Sequence, residues 1–366
     1  MKGTLYIASL KGFFMKKSLL IVVFAILIMA MGFSGCSSPA NDVPGPERLP
    51  THVKGTGVPT TAWYDNPTTP TEFTLNTPDD LAGLAQIVNG ELEPAIAQDS
   101  FIGKTITLGA NVDLSAYGKG KAFNGGKGWI SIGTGAFQFK GTFNGNGKTI
   151  IGLYINDNDP MSTNWSGLFG IVLGGTVEKL GLVNVDISGY LYVGGLAGGI
   201  GDDGMIANCY VTGSVEGKNY VGGIVGTIAG GSGMTNCYVT CKVFSENDVG
   251  GLVGKIWVNE RKIVDNAALN SSVIDSVSDA GRIAGPSQAG SLSGNVAFSD
   301  MIVKLNGSAK ALDLGDDKVD GENITKEQIA RDGTIGGRFI TANGWTVQNG
   351  KLPGFGEAVD MPAHLR

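Results

Sequence analysis

The chain has 366 residues, 59 of them glycine and 2 histidine, with 42% hydrophobic and 16% charged residues and a formal net charge of −6. That length supports one or two domains with a real core, and glycine far above its usual share of about 7%, without a G-X-Y period, describes short strands between many turns. No basic run points to nucleic acid, and two histidines near opposite ends, His52 and His364, argue against a His-based metal site or a Ser-His-Asp triad.

Residues 1–35 carry Lys2, Lys11, Lys16 and Lys17 and no acid. Lys16-Lys17 opens an uncharged, mostly apolar run from Ser18 to Phe33, which leads into Ser34-Gly35-Cys36. A basic start, an apolar stretch and small residues before a cleavage point describe an export signal. The run is short for a membrane span of about 20 residues. Phe33-Ser34-Gly35-Cys36 resembles the bacterial lipobox, with Phe33 where Leu is usual. The resemblance implies cleavage before Cys36, acylation of its thiol, and an exported protein lipid-anchored to the cell envelope, at the outer membrane or cell surface. Met15 competes with Met1 as the start. Without residues 1–35 the chain has 23 basic and 33 acidic residues, a net of −10.

Residues 36–62 read as the lipidated Cys and a flexible tether. They hold Pro39, Pro44, Pro46, Pro50 and Pro59 and no periodic apolar pattern, so disorder is expected, with His52 solvated. Such a coil reaches on the order of 30 Å. Residues 63–165 read as an N-terminal cap and opening module. Thr77-Pro78-Asp79-Asp80 predicts a helix start, with Thr as N-cap, Pro at the first turn and acids beside it. Leu81, Leu84, Ala85 and Val88 give that helix an apolar stripe.

Residues 166–300 repeat. Ser166-Gly167-Leu168-Phe169-Gly170, Val193-Gly194-Gly195-Leu196-Ala197-Gly198, Val221-Gly222-Gly223-Ile224-Val225-Gly226 and Val249-Gly250-Gly251-Leu252-Val253-Gly254 close on glycines 28 residues apart. Ala280-Gly281-Arg282-Ile283-Ala284-Gly285 is a looser copy. Asn208-Cys209-Tyr210-Val211-Thr212 and Asn236-Cys237-Tyr238-Val239-Thr240 keep the same step. Period-two alternation within each copy predicts strands. It sets residues 181, 183, 185 and 187, and then 207, 209, 211, 213 and 215, inward, with Asn184, Thr212 and the tyrosines outward. A unit this small buries its apolar face only by stacking on its neighbours. The predicted fold is therefore all-β, a parallel β-solenoid of about 28-residue coils with a short helical N-terminal cap. The Gly-Gly pairs fit corners that exclude a Cβ, and their spacing disfavours helical repeats. Residues 301–366 read as a C-terminal capping segment, with Thr325-Lys326-Glu327-Gln328 as a capping box.

These Gly-Gly-Leu-x-Gly copies resemble the GLUG motif of bacterial surface proteins, which also occurs in non-catalytic parts of some immunoglobulin A-cleaving proteases. Phe73-Thr74-Leu75, Val112-Asp113-Leu114, Trp129-Ile130-Ser131-Ile132-Gly133 and Phe139-Lys140-Gly141-Thr142-Phe143 extend the resemblance upstream. It covers about residues 63–300, and Gly344-Trp345 and Leu352-Pro353-Gly354-Phe355 suit its closing part. The resemblance implies architecture rather than activity.

Tyr210 and Tyr238 form one outward column, and Tyr192 and Tyr220 a second that ends at Asp248. Exposed aromatic columns suit sugar rings or peptide chains. The competing reading is tyrosines that support one another along the sheet. Cys209, Cys237 and Cys241 face inward as small hydrophobes; a Cys209–Cys237 disulfide is the alternative, and zinc lacks a nearby histidine. Asp316-Asp317-Lys318-Val319-Asp320-Gly321 with Glu327 partly mimics a calcium loop, spoiled by Lys318, and Asp157-Asn158-Asp159 is a second oxygen-rich run. Solvated loops are the plainer reading, so calcium is the one weak cofactor candidate. No outward column repeats a carboxylate pair for glycoside chemistry. The expectation is a monomeric, membrane-tethered, non-catalytic surface lipoprotein that serves adhesion to a glycan or a host or matrix protein. A polysaccharide-acting enzyme on the same scaffold and a structural envelope component are the alternatives.

Overall fold

Strands one repeat apart lie side by side and parallel. Met205–Gly222 pairs with Thr176–Gly194 on one side, and with Gly233–Thr235, Tyr238–Val239 and Lys242–Gly250 on the other. The computed structural model describes residues 51–366 except 65–69, 162–164, 258–262, 276 and 287–291. Among these, the pairing continues from Glu72–Leu75 through Thr105–Leu108 to Glu322–Ile324. A second sheet of Phe169–Leu173, Ala197–Gly201, Val225–Ile228 and Val253–Ile256 closes the coils. The chain is an all-β parallel solenoid of about eight turns, as the 28-residue period predicts. No helix among the described residues is long and apolar enough to cross a membrane. The expected signal at 1–35, Cys36 and the first part of the tether lie outside the described residues.

The core is a set of inward columns. Val177, Ile206, Met234, Ile263 and Leu292 stack rung on rung, as do Leu182, Val211, Val239, Ala268 and Ala297. Nearly all are fully buried, and each burial contributes about 1.5–3 kcal/mol for the larger side chains. Beside them Cys209 and Cys237 are free, buried thiols. The Cys209 N–H points at the Cys237 sulfur at 3.4 Å, and the Cys237 N–H donates to Asn266 Oδ1 at 2.9 Å. This column serves the backbone donors of a bend, and no disulfide forms.

The alternation needs one correction. Leu182 is buried and Val183 only half-buried, the reverse of the period-two reading, because Asn184 has φ 56 and reverses the sense of the strand. Ala207 turns outward before Asn208 (φ 53), and Gly213 (φ 126) is exposed. Val185, Ile187, Cys209, Val211 and Val215 sit inward as expected. The Gly-Gly corners exclude a Cβ by close approach rather than by positive φ: one on Gly222 would lie 2.1 Å from the Val225 carbonyl oxygen.

The helix Pro78–Val88 starts in a capping box, Thr77 with Asp80, and buries Leu81, Leu84, Ala85 and Val88. Residues 53–56, expected to belong to the tether, are instead held on the fold. Val53–Lys54 pairs with Val112–Asp113, and Thr56 Oγ1 donates to Asp79 at 2.8 Å. His52 is engaged rather than solvated, its Nε2 lying 2.8 Å from Thr149 Oγ1. A two-residue strand rich in neighbouring Pro and Gly carries no periodic signal, yet a sheet edge can recruit it.

At the other end Thr325 caps the short helix Lys326–Ala330 with Gln328, as the sequence predicts. The last coils close around Arg282, which is fully buried and donates to the Asp320 carbonyl at 2.7 Å and Asn323 Oδ1 at 2.8 Å. The remaining segment runs back along a flank of the solenoid. Arg338 Nε donates to Gly294 O at 2.9 Å, Tyr238 Oη to Pro353 O at 2.6 Å, and Phe355 packs against Gly147.

Candidate functional site: two tyrosine columns and a tryptophan at each end

Both tyrosine columns form, and they differ in covering. Tyr210 and Tyr238 stack at 5.1 Å and point away from the solenoid core, as the alternation requires. They are nevertheless buried, at 2% and 0% exposure. Trp345 lies 6.3 and 6.0 Å from the two rings, Phe355 5.9 Å from Tyr210, and Phe339 edge-on 5.5 Å from Tyr238. The expectation of an exposed ligand column at Tyr210 and Tyr238 is thus corrected: the C-terminal segment roofs it. Burial pushes both phenols up in pKa.

Tyr192 and Tyr220 stack at 5.1 Å with planes 14° apart and stay half-buried. Trp165 extends this column upstream, 3.9 Å from Tyr192 and nearly parallel to it. Trp257 ends it downstream, 5.7 Å from Tyr220, tilted by 63° and 43% exposed. Burial raises the Tyr192 phenol, with Tyr220 beside it adding to the effect. Trp165 stands one residue before Ser166, where Tyr192 precedes Val193 and Tyr220 precedes Val221. The motif alignment therefore contained it. Trp257 follows no repeat position and left no such signal.

The column follows a corner. Tyr192, Tyr220 and Asp248 have φ 54, 54 and 55. Asp and Asn tolerate this left-handed region, whereas for a tyrosine it costs on the order of 1–2 kcal/mol. The corner is over-determined by packing. A Cβ on Gly226 would meet the Tyr192 backbone at 2.7 Å, and one on Gly254 the Tyr220 backbone at 2.5 Å. Asp248 takes the third rung as an ion: Lys255 Nζ lies 2.9 Å from its carboxylate, 5.6 Å from the Tyr220 ring and 5.0 Å from the Trp257 ring. A cation over such rings contributes about 0.5–1 kcal/mol at an exposed site.

Other residues that the sequence singles out have partners within the chain. Asp157 is buried and pairs with Lys127 at 2.7 Å. Asp320 is buried and accepts from the Arg282 and Asp313 N–H groups, and Lys318 pairs with Asp317. Among the described residues no three His, Cys, Asp or Glu side chains gather to hold a metal. His364 Nε2 lies 2.7 Å from Leu269 O, far along the chain from His52 and its Thr149 contact.

Residues 189–216 match the GLUG motif family, so the motif spans Tyr192, the Gly194–Gly195 corner and the following strand to Glu216. Over 73 residues the chain is 42% identical to a provisionally named Gly-rich membrane protein of Evansella cellulosilytica, covering 20% of this chain and 8% of that one. Over 115 residues it is 36% identical to halomucin of Haloquadratum walsbyi, covering 31% of this chain and 1% of that one. The chain thus spans only a small part of these curated relatives. In structure it resembles a protein of Bacteroides ovatus provisionally named an immunoglobulin A1 protease, with TM-score 0.55 and 19% identity over 80% of this chain and 93% of the other. At that identity the likeness shows the fold alone.

Proposed function

We propose that this chain is a lipid-tethered surface protein whose solenoid holds a glycan or peptide against the flank formed by Trp165, Tyr192, Tyr220 and Trp257, without chemically altering it. One observation carries the reading. Of two tyrosine columns built on the same repeat, the chain roofs one and leaves the other half open, ending in a tryptophan 43% exposed. Aromatic side chains with a polar tip give large contact area at low entropic cost. The names of the Evansella and Haloquadratum relatives support a place at the cell boundary, and Cys36 supplies the tether there.

The test is attachment. Cells displaying the full chain are applied to glycan-coated and matrix-protein-coated surfaces. Tyr220→Asn combined with Trp257→Ala removes two rungs, and asparagine suits the left-handed backbone at 220. Attachment should fall about tenfold, the equivalent of about 1.4 kcal/mol, while the melting temperature changes little. Unchanged attachment to every surface that wild type holds would overturn the reading.

A further inference from the structure

The two ends of the exposed ladder differ. Tyr192 lies between Trp165 at 3.9 Å and Tyr220 at 5.1 Å, so it offers only its edge and hydroxyl. Trp165 is the first rung. Tyr192 takes one of its faces, and among the described residues no other ring stacks on it. Trp165 also lines a hollow of about 560 Å³, together with the loop around Asn124–Ala136 and with Ile155, Asp157 and Ser166. That volume lies in the range of small-molecule sites, roughly 300–1,000 Å³.

The walls are fixed. Asn89, the C-cap of the first helix, donates to Ser131 O at 3.1 Å and accepts from the Gly133 N–H at 2.9 Å. Ser131 Oγ donates to Gly167 O at 2.8 Å, and Trp129 Nε1 to Leu168 O at 3.2 Å. The polar lining is mixed: the exposed Glu91 carboxylate, the exposed Asn124 amide, and the Lys127–Asp157 ion pair, whose lysine is 47% exposed and whose aspartate is 7% exposed.

We infer that this hollow is a subsite for a ring of a neutral glycan, with Trp165 as its stacking surface. The inference rests on the ligand-binding reading above and names its ligand class. A pyranose presents an apolar face of C–H groups, which an indole covers, and a rim of hydroxyls that both donate and accept. Glu91 and Asp157 accept, while Asn124 and Lys127 donate. An acidic sugar or a nucleotide phosphate fits poorly, because Lys127, the only lysine among the described lining residues, is already ion-paired and Glu91 adds a second negative charge. A neutral sugar needs no counter-charge. From Trp165 the same chain can continue past the edges of Tyr192 and Tyr220.

The full chain has five tryptophans, so incorporation of 5-fluorotryptophan gives five fluorine NMR signals. Trp165→Phe identifies the signal of residue 165. Cellohexaose, maltohexaose, mannohexaose and chitohexaose are titrated to millimolar concentration. At least one should move the Trp165 signal and leave Trp345 unmoved. Glu91→Gln, an exposed change, should weaken that sugar several-fold, and Trp165→Ala about tenfold or more. Failure of all four sugars to move Trp165 overturns the inference. So does a sugar that moves only Trp257, which would leave the ladder reading standing. Attachment that persists in the display assay with no sugar bound removes the sugar class and keeps the flank. Loss of both removes both.

Discussion

Tyr210 and Tyr238 stand 28 residues apart, stack at 5.1 Å and lean away from the core; the same is true of Tyr192 and Tyr220. One pair is sealed under Trp345 and Phe355, and the other is half open between Trp165 and Trp257. A repeat decides which residues share a column, because hydrogen bonding from coil to coil holds the register. It does not decide what lies over the column, since the roof comes from a segment outside the repeat. Outward in a solenoid is therefore not the same as exposed.

The sharpest way to break the comparison is to remove the roof. Trp345→Ala deletes a side chain 2% exposed that touches both Tyr210 and Tyr238 and stacks on Phe355 at 4.4 Å. It should cost about 3–5 kcal/mol, read as a lower denaturation midpoint. A loss under about 1 kcal/mol would show that the C-terminal segment rests on the flank without stabilising it.

The next effect is an alkaline one. Burial raises the Tyr210 and Tyr238 phenols well above their ordinary value. Their contribution to stability is complete below the unfolded value near pH 10. It is lost as pH rises toward the folded values, because only the unfolded state then releases protons. The slope should be about −1.4 kcal/mol per pH unit for each phenol. Tyr238→Phe should remove one of the two contributions and by itself cost about 1–2 kcal/mol, since Pro353 O loses its donor. Denaturation midpoints from pH 9 to 12 decide this, and a slope for Tyr238→Phe equal to that of wild type would show that the Tyr238 phenol is not sealed.

Much of this was legible in the sequence. The step of 28 gave the solenoid, Val211 over Val239 and both tyrosine columns. Thr77-Pro78-Asp79-Asp80 and Thr325-Lys326-Glu327-Gln328 gave the two capped helices. What escaped did so for physical reasons. A single left-handed residue, Asn184 or Asn208, flips the faces of a strand, and no periodicity announces it. Val53-Lys54 joins the sheet through backbone groups alone, which every sequence carries. The roof over Tyr210 and Tyr238 and the tryptophan at 257 are long-range arrangements of non-repeating residues. Trp165 was the exception: it sat at the motif position of Tyr192, and only its change from Tyr to Trp hid it.

The smallest expected effect on stability belongs to Trp257, and it is the most informative about function. Its ring is 43% exposed, tilts from the stack, and touches Tyr220 and the Lys255 ammonium. Lys255 keeps its partner Asp248 at 2.9 Å when the ring is gone. Trp257→Ala should therefore cost no more than the cation contact, about 0.5–1 kcal/mol, against several for Trp345→Ala. Reactivity checks the same contrast without any substitution. Limited N-bromosuccinimide oxidation of the folded chain, followed by peptide mass spectrometry, should modify Trp257 well before Trp345. If the two indoles react together, the roof is not closed in solution and the two columns are alike. If Trp257 proves as slow as Trp345, something covers the open flank, and the ladder is scaffold like its counterpart. An early-reacting Trp257 whose removal spares stability but lowers attachment is the outcome that separates a binding column from a packing one.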